Sequence, residues 1–278
     1  MTLLPADLEL SVQRALEEDI GSGDLSAALV APTRRLRAHI LAREPGVLCG
    51  RPYAEAVFRH CSPEIRCHWR VAEGMELAAD TVLCELEGPA GPVLTAERTA
   101  LNFLQLLSGT ATRVRQHVQL LEGLPARLLD TRKTLPGLRL AQKYAVRMGG
   151  GNNHRLGLFD GILIKENHIA AIGGIGPALR AARALAPALT RIEIEVENLD
   201  QLEEALAERA DMILLDNFSL ADLRRAVELV QGRVPLEASG NLGLHNLREV
   251  AATGVDYLSV GSLTRDVQSL DLSLRYRD

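Results

Sequence analysis

Aromatic residues make up only 3% of this 278-residue chain, which leaves few platforms on which nucleic-acid bases could stack. A formal net charge of −5 likewise gives no general attraction for phosphate backbones, so nucleic acid is not the expected partner. No run approaches the roughly 18 apolar residues of a membrane span. The opening segment MTLLPADLELSVQRALEED turns acidic before an apolar signal core could form. A soluble, cytoplasmic protein is expected. Cysteines are few, and Cys49, Cys61, Cys67 and Cys84 make no CxxC pair, which points to reduced, mostly buried thiols. His60-Cys61 and Cys67-His68 lack the usual zinc-finger spacing. Also missing are a G-x-G-x-x-G turn opening a helix and any G-x-x-x-x-G-K-[ST] loop, which argues against a dinucleotide fold and a P-loop.

What is present is a 47% hydrophobic chain, enough for a large core, with a local excess of positive charge. Between Asp130 and His168 stand Arg132, Lys133, Arg139, Lys143, Arg147, Arg155 and Lys165 against Asp130, Asp160 and Glu166, seven minus three, or +4. The rest of the chain therefore carries −5 − 4 = −9. Two cations about 4 Å apart repel by roughly 4 kcal/mol at the effective dielectric of a protein surface. If these side chains converge, the cleft they form expects an anion.

Two patterns of hydrophobicity divide the chain. The first hundred residues mix a helix over Leu8 to Glu18 with strands over Leu36 to Glu44, Ile65 to Val71 and Thr81 to Gly88, as in a small α+β domain. A long helix begins near AERTALNFLQLLSG, with Arg98 at its start. After Leu124, short apolar runs alternate with amphipathic stretches. Strands are expected over Arg127 to Asp130, Gly161 to Lys165, Arg191 to Glu197, Met212 to Asp216, Val234 to Ser239 and Tyr257 to Val260. Helices fall among them, over Leu135 to Met148, Gly176 to Leu185, Leu199 to Glu208, Leu220 to Val230 and Leu247 to Thr253. Such alternation implies a parallel sheet built of βαβ units, a barrel being favoured over an open sheet.

Asp130, Lys165, Glu195, Asp216, Ser239 and Gly261 each lie at or near the end of a different expected strand, the rim where barrel enzymes place their chemistry. RIEIEVEN aims Glu193, Glu195 and Glu197 at one face. If that face is the barrel interior, cations or a metal must meet the acids, and Lys165 with a divalent ion are the natural partners. The small residues of ASGNL and VGSL would let backbone N–H groups approach a phosphate. Carboxylates at one strand end and amides at another suit a phosphorylated sugar held through Mg²⁺, with Glu195 and Asp216 as oxygen ligands or ribose acceptors.

The segments EDIGSGDLS, AERTALNFLQLLSG, DTRKTLPGLRLAQKYAV, GGGNNHRLGLFDGILIKENHI, IEIEVENLDQLEEAL, MILLDNFS, LEASGN and GVDYLSVGSLTRDVQSLDLSL, in order from Glu18 to about Leu274, closely resemble the quinolinate phosphoribosyltransferases. That resemblance implies an N-terminal α/β sandwich domain over 1–108, an incomplete seven-stranded α/β barrel over 109–264, and a tail, 265–278, able to pack back on the first domain. It also implies a homodimer, or a hexamer, in which Arg98 is donated across the interface. Arg132, His154, Arg155 and Lys165, with Arg98, would grip the two carboxylates of quinolinate. Lys133 would meet the pyrophosphate of phosphoribosyl pyrophosphate, Glu195 and Asp216 its ribose and Mg²⁺, and Ser239, Gly240 and Gly261 its 5′-phosphate. The implied reaction is phosphoribosyl transfer to quinolinate with decarboxylation, in NAD biosynthesis. The alternatives are a molybdenum-associated relative acting on another acceptor, a non-catalytic nucleotide-binding homologue, and a Schiff-base enzyme using Lys165.

Overall fold

The computed structural model describes residues 3–277, which divide into two compact units. The first takes the chain up to residue 115, then 134–150 and the C-terminal stretch from 264. The second comprises 116–133 and 151–263.

In the first unit, helix α1 (Leu8–Ile20) buries Leu8, Val12 and Leu16, one residue per turn, and ends at Gly21 with φ 52°. Strands β1 (Arg35–Ala42), β3 (Arg66–Trp69), β5 (Val82–Pro89) and the chain-terminal β12 (Leu272–Arg277) form an antiparallel sheet in the order β12-β1-β5-β3. The short β2 (Gly46–Val47) and β4 (Glu76–Leu77) pair separately. Helix α2 (Arg51–Cys61) is absent from the strand pattern read in the sequence, because its Pro52 and the preceding Gly50 suggest a turn. Gly50 has no side chain to cap it, and the Glu73 carboxylate does so instead, accepting the N–H groups of Gly50 at 2.7 Å and Arg51 at 3.1 Å. Helix α3 (Ala90–Leu120) buries Leu101, Leu104 and Leu107. Tyr53 of α2 stacks on Phe103 with ring centroids 5.0 Å apart.

Helix α4 (Arg139–Met148) starts a turn later than Leu135: Gly137 takes φ +77°, and Leu138 closes a turn back onto the Leu135 carbonyl. Because 134–150 belong to the first unit, Arg139, Lys143 and Arg147 are structural neighbours of that unit's core. Lys143 is buried, and Arg147 donates to the Leu3 carbonyl. The basic stretch is therefore divided, leaving Arg132, Lys133, Arg155 and Lys165 in the second unit.

That unit is a parallel sheet of β6 (Arg127–Leu129), β7 (Ile162–Ile164), β8 (Ile192–Val196), β9 (Met212–Asp216), β10 (Leu236–Ser239) and β11 (Tyr257–Ser259), ordered β6-β11-β10-β9-β8-β7. Six strands make the ladder rather than seven. In place of a seventh, Asn152 makes one isolated parallel bridge to Leu129, since the polar GGGNNH run cannot extend a buried strand. Helices α5 (Glu166–Ile172), α6 (Ile175–Leu185), α7 (Leu199–Ala207), α8 (Leu220–Val230) and α9 (Leu247–Ala251) follow their strands. The side chains of Asn198 and Ser219 accept N–H groups from the first turns of α7 and α8. Helix α5 was hidden in the KENH run. There the Lys165 N–H donates to His168 Nδ1 at 3.0 Å, so His168 serves the helix start.

All four cysteines are free thiols, and no helix among the described residues is long and apolar enough to cross a membrane.

A methyl group on Gly109 would lie 2.0 Å from the Gln268 carbonyl oxygen, whereas one on Gly91 would find its nearest atom at 3.8 Å. Gly109→Ala is expected to cost about 1–3 kcal/mol, a fall of roughly 2–12 °C in thermal unfolding. Gly91→Ala in the same helix should leave the transition in place.

Candidate active site

The second unit gathers charge at the C-terminal ends of its strands. Asp130, immediately after β6, is fully buried and accepts the His154 N–H at 2.8 Å and the Asn153 side-chain amide at 2.7 Å. It thereby ties the glycine-rich loop to the strand. Beyond it, the Lys133 N–H donates to Thr131 Oγ1 at 3.0 Å. The Lys133 side chain runs over Gly261, where an added Cβ would meet Lys133 Cδ at 2.8 Å. The end of β11 must be small for that lysine to lie there.

Lys165, at the end of β7, reaches Glu195 of the adjacent β8, Nζ to Oε2 2.5 Å. Burial pushes the Glu195 carboxyl up, Lys165 pulls it back down, and Glu166 and Asp216 add to the upward shift. Asp216 closes β9 in register with Ser239 of β10. Its Oδ2 accepts the Asn217 side-chain amide at 2.8 Å. The Asn217 N–H donates to the Ser239 carbonyl at 2.9 Å. Gly240, at φ +106°, lies so close beneath Asn217 that a Cβ there would stand 2.2 Å from Asn217 Oδ1. Lys133 with Gly261, Lys165 with Glu195, and Asp216 with Ser239 and Gly240 are thus brought together in pairs and triplets. Arg98 lies in the first unit, exposed on α3.

The acids of β8 divide. Glu193 and Glu195 are buried, while Glu197 lies past the strand end, exposed, its N–H donating to Gln201. All three were expected inside; alternation fails for Glu197 because β8 stops at Val196. Nor is the partner of Glu193 a lysine. His154 Nε2 stands 2.8 Å from Glu193 Oε2 and 3.4 Å from Oε2 of Glu237, a fully buried residue of β10. Glu237 escaped the sequence reading, although a lone acid in the apolar run VPLEAS was a signal for it. Burial raises the Glu193 carboxyl, against the opposite pull of His154.

Burial disfavours the His154 imidazolium, but hydrogen bonding and the charges of Glu193 and Glu237 favour it more, holding its pKa up at about 10. The Arg155 N–H, however, donates to His154 Nδ1 at 2.8 Å, and a nitrogen that accepts carries no proton. The two demands differ at Nδ1 and agree that Nε2 is protonated. The hydrogen bond decides the resting form, since a protonated Nδ1 would face that N–H hydrogen to hydrogen. His154, Glu193 and Glu237 offer ligand atoms within 4.8 Å of one another, the one such group among the described residues. A protonated Nε2 is a donor and not a metal ligand, so the triplet is a hydrogen-bonded cluster. The Arg155 guanidinium donates to the Gly161 carbonyl at 3.1 Å. Burial and then the nearby Arg132 charge lower its affinity for its own proton.

Of two clefts of about 730 and 770 Å³, one is lined by α1 and Ala27–Pro32, the other by the start of α7, by Asn217–Ser219 and along α8. Neither contains the paired cations, so charge and not volume marks the site.

A family model described as the quinolinate phosphoribosyl transferase C-terminal domain matches residues 110–275, and that of the N-terminal domain matches 24–108. A nicotinate-nucleotide pyrophosphorylase (carboxylating) from Mycobacterium leprae is 45% identical over 95% of this chain and 95% of its own length. A probable one from a Synechocystis strain is 41% identical over 99% and 95%. Among solved structures, the nicotinate-nucleotide pyrophosphorylase from Francisella tularensis superimposes with a TM-score of 0.96 at 44% identity, covering 99% of this chain and 98% of that one. With both of its halves matched in order, the chain belongs to the quinolinate phosphoribosyltransferase family.

Proposed function

We propose that this chain catalyses phosphoribosyl transfer from phosphoribosyl pyrophosphate to quinolinate with decarboxylation. Nicotinate mononucleotide, pyrophosphate and CO₂ are the products, and the step belongs to de novo NAD biosynthesis. The observation that carries this reading is the density of cations beside acids at one sheet rim: Arg132, Arg155, Lys133 and Lys165 with Glu195 and Asp216. Both substrates are polyanions, and each charge-assisted hydrogen bond contributes about 1.5–3 kcal/mol. A monocarboxylate acceptor would leave one of the repelling pair, Arg132 and Arg155, without an anion.

In this reading Arg132, Arg155 and Lys165 orient the two carboxylates so that the pyridine nitrogen faces ribose C1. The nitrogen lone pair forms the N–C1 bond as the bond from C1 to the pyrophosphate oxygen breaks. Lys133, lying on Gly261, stabilises the charge that develops on the leaving group. Glu195, fixed by Lys165, and Asp216 face the ribose as positive charge grows on its ring. Ser239, Gly240 and Gly261 present backbone to the 5′-phosphate. The bond from ring C2 to its carboxylate then breaks to release CO₂. The electron pair remains at C2, stabilised by the adjacent pyridinium nitrogen, and takes a proton from water. Glu195 and Asp216, carboxylates on the adjacent strands β8 and β9, are hard oxygen donors suited to Mg²⁺. When bound, that ion supplies charge to the pyrophosphate oxygens.

The same reading makes the protein a cytoplasmic homodimer in which Arg98 of one chain completes the site of the other. A second function is favoured by no observation here.

Carboxyl-labelled quinolinate with phosphoribosyl pyrophosphate and Mg²⁺ should give labelled CO₂ and mononucleotide in equal amounts. Binding of phosphoribosyl pyrophosphate without product would withdraw the acceptor assignment. Lys165→Met should lower kcat/KM by about 100-fold, because it removes a substrate cation and leaves Glu195 buried without its partner; normal turnover would contradict the role given to Lys165. Arg98→Ala and Lys165→Met preparations, each strongly impaired alone, should regain part of the activity when refolded together. No recovery would count against donation of Arg98 across a dimer.

A further inference from the structure

Glu237 is fully buried on β10 between Leu236 and Ala238, and neither of its carboxylate oxygens makes a hydrogen bond. His154 Nε2 stands 3.4 Å from its Oε2. Glu193, almost as deep on β8, holds that same nitrogen at 2.8 Å and leaves its Oε1 without a partner. Buried carboxylate oxygens with no donor destabilise a fold, and apolar side chains of the same size are usually tolerated or better in such places. Packing and stability therefore give no reason for an acid at position 237.

The surroundings of His154 supply one. Its ring is held at Nε2 from β8 and β10, and at Nδ1 it accepts the N–H of Arg155. Its own N–H is fixed by Asp130 after β6. Both peptide groups flanking Cα of His154 are thus anchored, and the second carries Arg155. The Arg155 guanidinium sits within the field of Arg132, and two like charges without an anion push apart. An arginine on a free loop would turn toward water, whereas one whose peptide is pinned to the sheet through a buried ring keeps its place.

We propose that Glu237 and Glu193 are positioning residues for the acceptor: through His154 they lock the Arg155 backbone so that Arg132 and Arg155 stand ready for the two carboxylates of one ligand. This rests on the reading of the second unit as a quinolinate site. Both ring nitrogens of His154 are engaged in the arrangement, so His154 serves as the strut between the buried acids and the arginine. Glu237 thus favours acceptor affinity at the expense of stability.

The test measures E237M, E237Q and the unaltered protein by steady-state kinetics with each substrate varied, together with thermal unfolding. E237M should unfold at the same temperature or higher and show a KM for quinolinate raised at least tenfold. Its KM for phosphoribosyl pyrophosphate should stay within twofold. E237Q, which keeps the size and a polar oxygen facing Nε2 but loses the charge, should fall between E237M and the unaltered protein. An unchanged quinolinate KM in E237M would overturn the proposal. So would equal losses for both substrates with a lowered unfolding temperature, or a protein that no longer folds, since each assigns Glu237 to structure. Turnover by the unaltered protein reports separately on the acceptor itself: if it makes no product from quinolinate, the function reading fails and not the mechanical link.

Discussion

Charge taken out of water is the constraint on which the second unit depends. A parallel sheet covered by helices presents apolar side chains on both faces, yet β8 carries Glu193 and Glu195 among buried neighbours, and β10 carries Glu237. Carboxylates in such surroundings need a cation or a donated proton close by. The structure meets the need for Glu195 with Lys165 from the end of β7 and for Glu193 with His154 from a loop, and leaves Glu237 at 3.4 Å from the same ring nitrogen. Each solution pins a segment that regular secondary structure does not reach.

The loops gain order from this arrangement. Nine of residues 150–161 are polar, charged or glycine and could not form a buried strand by themselves, and Asp130, Asp160 and the buried acids hold them in its place. Asp130 accepts the N–H of His154, and Asp160 accepts those of Leu156 and Gly157. The same economy of small residues operates at the other strand ends. Gly261 leaves room for Lys133 and Gly240 for Asn217. Where glycine gives freedom, a neighbouring polar side chain removes it again.

Much of this was visible in one dimension. Alternation of short apolar runs with amphipathic stretches gave the parallel sheet, since period and length separate buried strands from helices, and Met212–Asp216 and Leu220–Val230 appear with the boundaries expected. Strand-end positions brought out Lys165, Glu195, Asp216, Ser239 and Gly261. Other elements were concealed. Helix α2 lies behind Gly50 and Pro52, and its cap comes from Glu73, twenty-three residues away. Helix α5 is too short for its periodicity to register, and its start depends on the contact of His168 with the backbone of Lys165.

The sequence by itself determined the period of each element, the local excess of cations and the small residues at the strand ends, because these follow from neighbours along the chain. Only tertiary structure decided which charges face one another. It assigned 134–150 with Lys143 and Arg147 to the first unit, separating them from a basic run that is continuous on paper. It added a single bridge between Asn152 and Leu129, and it set Glu237 of β10 against His154 of a distant loop. Pairing of that kind depends on the closing of the sheet, where residues 83 apart in sequence come within 3.4 Å, and no local pattern encodes it.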